Sequence, residues 1–158
     1  MVDEIVYPHE DANTTLINIS NSSVDDMDVY IGEKHKSYNL DPSPLRNPFD
    51  KSELGREEAV KHYKMYLYRR YLEEEPFREY LHNIEGMTLG CLCYPKRCHG
   101  EVIVDLLNKH HQEGIEGAIE LMEERLGEID SDELGVEGFK EYEIVQEALE
   151  DIKEKYDL

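Results

Sequence analysis

The hydrophobic pattern of the chain changes period twice within one stretch, residues 86–107 (GMTLGCLCYPKRCHGEVIVDLL). Met87, Leu89, Cys91 and Cys93 alternate with Thr88, Gly90 and Leu92, which predicts a strand that Pro95 ends. Val102, Ile103, Leu106 and Leu107 then recur at helical spacing, so Cys98, His99, Gly100 and Glu101 fall at a helix N-terminus. Upstream, the β-branched runs at 15–19 (TLINI) and 28–32 (DVYIG) predict two more strands, separated by turn-prone Asn, Ser and Asp. Residues 33–50 carry Pro42, Pro44 and Pro48, which exclude a regular helix; a loop of that length in a small domain is usually functional.

A helix is expected from Ser52 through Leu72, with Val60, Tyr63, Leu67 and Tyr71 in one stripe widened by Ala59, Tyr66 and Tyr68. These tyrosines read as core and boundary residues rather than a base-stacking platform. Pro76 stops that helix, and a shorter one at 77–84 leads into the 86–107 stretch. Ile115, Ala118, Ile119, Met122 and Leu126 define a further helix, and Tyr142, Val145, Leu149, Ile152 and Tyr156 a last one. The fold class expected is α/β: a small Rossmann-like sheet flanked by helices, with two extra acidic C-terminal helices. The expected organisation is an N-terminal arm (1–14), an α/β domain (15–111) and an acidic helical extension packed on it (112–158).

Charge narrows the choice of partners. The chain of 158 residues has 37 acidic and 17 basic residues, net −20, and residues 113–158 alone hold 17 acidic against 4 basic, or −13. Such a surface repels a nucleic-acid backbone, although a small nucleotide in a local pocket stays possible. The excess fits solvated helix faces or adaptation to high salt. No apolar run reaches the roughly 18 residues of a membrane span, and the first residues lack the pattern of a secretory signal, so a cytoplasmic location is expected, with no membrane contact. Three cysteines, two of them one residue apart, argue against a disulfide framework.

The candidate chemistry sits in Cys91, Cys93, Cys98 and His99. As a zinc set the spacing is poor: Cys98 and His99 are adjacent and point apart, and Cys91 and Cys93 lack a two-residue knuckle. No stoichiometric zinc and no cofactor are therefore expected. Cys91 reads as a small core residue. Cys98 as a nucleophile favoured by the helix N-terminus, and His99 as its acid or base, are the catalytic candidates. The run Asp130, Asp132, Gly135 and Glu141 partly matches a calcium loop, but Leu134 lacks a side-chain oxygen where one is needed, so it reads as an acidic interhelical loop.

The motifs DVYIG (28–32), SPLRNPF (43–49), REEAVKHYKMYL (56–67) and LGCLCYPKRCHGEVIVDLL (89–107), in that order, resemble the domain of unknown function 4326 family of bacteria and their viruses, over roughly residues 15–107. Leu92, Arg46 and Glu33 stand where that family tends to have Trp, Gly and Arg. The resemblance implies that the Asn47–Pro48–Phe49 loop and the 93–100 loop share one site. Its ligand-binding candidates are Tyr30, Gly32, Asn47, Pro48, Cys93, Gly100 and Glu101. The expected function is a small nucleotide-, nucleoside- or base-binding protein that could also process its ligand. The alternatives are a non-catalytic viral or microbial interaction protein using its acidic helices, with a homo-oligomer possible through them, and a zinc-stabilised binding module.

Overall fold

The computed structural model describes residues 13–49, 54–92, 96 and 98–158, and is mixed α/β. Three short strands, β1 (Thr15–Asn18), β2 (Val29–Tyr30) and β3 (Thr88–Cys91), form a parallel sheet in the order β1-β3-β2. Among the described residues four helices accompany it: α1 (Arg56–Glu73), α2 (Glu75–Asn83), α3 (His99–Gly127) and α4 (Gly135–Lys155). The strand and helix periods of the sequence thus find their elements. The Ser52 start expected for α1 lies outside the described residues, as do most of the N-terminal arm and Cys93.

The register puts Leu16, Leu89 and Val29 abreast, and Ile17, Gly90 and Tyr30 abreast one residue later. Successive side chains point to opposite faces, so these are the two faces of the sheet. The Leu16 face receives the start of α3. A methyl group at Gly100 would meet the ends of Leu16 and Ile31, so this glycine sets how closely the helix approaches. The Gly90 face receives the link from β1 to β2: a methyl group there would collide with Met27 and Ile19. A glycine in mid-strand is thus explained by the Met27 and Ile19 side chains packed over it. Both faces of β3 are covered, so Leu89, Gly90 and Cys91 are all buried, the usual state of a central parallel strand. Cys91 is a core residue, as its strand position suggested.

Helix α1 is enclosed on several sides, by α2, α3 and α4. Ala59, Tyr63, Met65, Leu67, Tyr68 and Tyr71 are each at most 1% exposed. That is a wider apolar belt than one stripe, as a helix packed by three others requires. Tyr63, Tyr68 and Tyr71 are core and Tyr66 is a partly buried boundary residue. Pro76 does not merely stop a helix: it stands in the first turn of α2, where its missing N–H costs nothing. Arg78, buried, closes the corner by donating to the carbonyls of Tyr71 (2.7 Å) and Leu72 (3.3 Å), last-turn acceptors of α1.

The helix expected from Ile115 is the second limb of α3, set off at Gly114, whose φ of 73° and ψ of −163° belong to no helix. The Asp105–Arg125 ion pair (2.8 Å) confirms a reversal, because 20 residues of straight helix would hold those groups about 30 Å apart. In the loop before α4, Asp130 accepts from the Asp132 N–H, while Glu141, within α4, binds Arg69 of α1 at 2.8 Å. The acidic loop is a helix connection, and the glutamate at the calcium-loop end position is engaged elsewhere. Thr14, counted with the arm, is buried: its backbone bonds Asn108 and its hydroxyl accepts from the Gly86 N–H.

Candidate functional site

The carboxyl ends of β2 and β3 meet the N-terminus of α3, and the sequence motifs converge there. Cys98 is the N-cap of α3. Its sulfur accepts from the Gly100 N–H (3.4 Å), and the Glu101 carboxylate reaches back to the Cys98 N–H (3.2 Å), a reciprocal capping box with cysteine in the place of serine. His99 opens the helix and turns inward, only 7% exposed. Its Nε2 lies 2.8 Å from the Ile31 carbonyl oxygen. A carbonyl only accepts, so Nε2 carries the hydrogen. The Cys98 sulfur stands 3.9 Å from Nδ1, at the outer limit for a sulfur hydrogen bond.

The His99 ring meets the edge of Tyr63 at 4.8 Å between centroids. Tyr63 in turn donates to the Leu45 carbonyl (2.8 Å). Burial, with Tyr66 adding to it, pushes the Tyr63 phenol well above its ordinary range and keeps it neutral. Ser43, also buried, donates its N–H to the Gly32 carbonyl (2.9 Å), and its hydroxyl accepts from the Leu45 N–H (3.0 Å). The circuit then closes: Ile31–Gly32, Ser43, Leu45, Tyr63, His99 and back to Ile31. Four motifs far apart in sequence are in contact through it, a physical reason for them to occur together.

Each sequence candidate has a place relative to this circuit. Gly32, Cys98, His99, Gly100 and Glu101 are in it or touch it. Tyr30 folds back over Gly32, where any side chain would collide with its ring, and its hydroxyl donates to the Glu33 carbonyl (2.6 Å). Asn47 is one step removed. Its amide donates to the Ala59 carbonyl of α1 (3.2 Å) and its oxygen accepts from the Phe49 N–H (2.9 Å), so the loop is pinned to α1 and Phe49 is presented to Tyr66 and His62. Pro48 is exposed beside it. Cys93 lies outside the described residues. Ser43, Leu45 and Tyr63 were not singled out for the site. The SPLRNPF motif and the tyrosine stripe were visible, but only the fold reveals that they meet around His99.

These environments bear on chemistry. Cys98 is 1% exposed, and a buried sulfur employed as a cap has the surroundings of an inert cysteine rather than a reactive one. The first N–H groups of α3 already serve the cap, and the Glu101 carboxylate occupies the position at the positive end of the helix that an anion would take.

Comparison with known proteins bears on the same residues. The profile of the domain of unknown function DUF4326 matches residues 17–109, well over half of the chain and the whole of the circuit. The chain belongs to the DUF4326 family. A DUF4326 chain is similar, at 38% identity over 55 residues, to an uncharacterized 12.4 kDa protein encoded in the nrdA-td intergenic region of Enterobacteria phage T4. The similarity covers 35% of this chain and spans about half (51%) of the phage protein. No solved structure matches. Among the described residues no helix is long and apolar enough to cross a membrane.

Proposed function

We propose that this DUF4326 protein binds a small, uncharged, nucleoside-like molecule, a nucleoside or free base, at the carboxyl end of its sheet. The observation that supports this most is the topology. The link leaving β1 passes over the Gly90 face, whereas helix α3, which follows β3, packs on the other, Leu16 face. Where connections part to opposite sides of a parallel sheet, a crevice opens beyond the strand ends, and α/β proteins bind ligands there. The Rossmann-like description of the sheet belongs to this proposal and rests on that parting of connections.

Charge selects among the forms of ligand. Glu101 at the helix start and Glu33 at the end of β2, in a chain of net −20, oppose a phosphate, while a base or sugar meets no such penalty. On this reading Cys98, His99 and Asn47 build the frame of the site, Tyr30 and Gly32 form its wall, and bond-making is no part of it. The test is a thermal-shift screen of bases, nucleosides and nucleotides. Nucleosides or bases should raise the melting temperature, nucleoside triphosphates should do so less, and Glu101→Gln should narrow the gap between them. If no nucleoside or base shifts the melt, the proposal fails and an interaction protein becomes the better reading.

A further inference from the structure

A second cluster lies at the other end of the sheet, ahead of β3. His82 is in the last turn of α2, Glu85 follows three residues later in the turn to β3, and His110 comes from the first limb of α3. Their ligating atoms all lie within 4.8 Å of one another. His110 Nδ1 is 2.7 Å from one Glu85 oxygen, and His111 Nδ1 is 3.6 Å from the other. His99 and His110 are eleven residues apart on one helical limb, about 16 Å, so this cluster is separate from the circuit around His99.

We propose that His82, Glu85 and His110 form a binding site for a divalent transition-metal ion of zinc's class, with a coordination position left open. Two imidazoles and one carboxylate suit such an ion, whereas calcium or magnesium would want oxygen throughout. The Glu85 side chain is 11% exposed, and its charged partners among the described residues are His110 and His111, neither a permanent cation. A carboxylate so nearly buried gains from a positive ion beside it. His82 has a second partner already in place, since its Nε2 is 2.9 Å from the Tyr71 hydroxyl; with that nitrogen held, Nδ1 is left to ligate. Burial, and then His110, push the His82 imidazole down to about 4, so the ring is neutral at neutral pH. Arg78, which also acts on His82, is directed to the Tyr71 and Leu72 carbonyls.

The rings of His82 and His110 are stacked 3.7 Å apart and 11° from parallel. Tetrahedral zinc asks for donors roughly 3.3 Å apart with converging lone pairs, so binding requires the rings to turn out of the stack. Both rings are half-buried, so the turn exchanges the stack for coordination. The sequence led to the expectation of a zinc-free protein, but that expectation came from cysteine spacing, and this cluster contains no cysteine.

The experiment uses the untagged full-length chain, stripped with chelator and titrated with cobalt(II) alone, then with zinc. One equivalent of cobalt should bind with a visible absorption band that zinc displaces. Glu85→Gln, which keeps the side-chain volume, and His110→Asn should each weaken binding by roughly tenfold or more, while Cys98→Ser should leave it unchanged. Circular dichroism of each variant separates lost ligation from lost fold, and Glu85→Gln alone decides if His110→Asn does not fold. Absence of stoichiometric binding in the wild type, binding that survives Glu85→Gln, or a sulfur-to-cobalt absorption that disappears with Cys98→Ser would each overturn the proposal.

Discussion

Tyr63 and Tyr68 stand five residues apart on α1, both fully buried, and differ in one respect: the hydroxyl of Tyr63 bonds the Leu45 carbonyl, while that of Tyr68 has no hydrogen-bond partner among the described residues. Burial keeps both phenols protonated, with Asp105 adding to the effect at Tyr68. Removing a satisfied hydroxyl strands its partner, whereas removing an unsatisfied one relieves a desolvation cost. Tyr63→Phe should therefore lose about 1–2 kcal/mol in denaturant unfolding, and Tyr68→Phe should be neutral or gain up to about 1 kcal/mol. Equal losses for the two would contradict the Tyr63–Leu45 bond as a tie between the SPLRNPF loop and α1. At this scale the sequence identified position better than role. Cys98, His99 and Asn47 were legible as residues of interest because they flank turns, but the bonds that occupy them, to Glu101, Ile31 and Ala59, are made across the fold or by a capping choice that spacing alone leaves open.

The elements themselves were largely legible, because each has a clean period or an unambiguous breaker. The apolar recurrence from Val102 and again from Ile115 foretold two helical stretches, and the structure adds what joins them. Gly114 adopts backbone angles that only glycine takes without strain, and nothing crowds the space a methyl group would fill. Gly114→Ala should thus cost about 1–3 kcal/mol purely through the backbone. Gly127→Ala is the control: nothing crowds that site either and its φ is not positive, so it should be neutral or stabilising by about 0.4–1 kcal/mol. Thermal or urea unfolding of the pair separates the two. The meeting of elements was not legible. His82 and His110 each looked like an ordinary helical histidine, and only the packing of α2 against α3 stacks them.

The net charge of −20 belongs to the whole molecule, and −13 of it lies in residues 113–158, on the last two helical stretches and the loop that joins them. Among the four basic residues after position 112, Arg125 and Lys153 pair with Asp105 and Glu123, bonds that at the surface contribute little. Repulsion among the seventeen acids of that region is then the larger effect. The melting temperature should rise on going from low to molar sodium chloride, because salt shortens the range of repulsion to about 3 Å at 1 M. A midpoint that falls would mean that the ion pairs outweigh the repulsion. The strand order carries a consequence of another kind, in time rather than energy. Among the described residues β1 and β2 share no pairing with each other, and each is joined only to β3, which follows Thr15 by 73 positions and Val29 by 60. Contacts of such separation form late, after the local helices. During synthesis at 5–20 residues per second the first two strands therefore wait roughly 3–15 s for the strand that unites them. The chain meets the cell with its sheet still open for that interval.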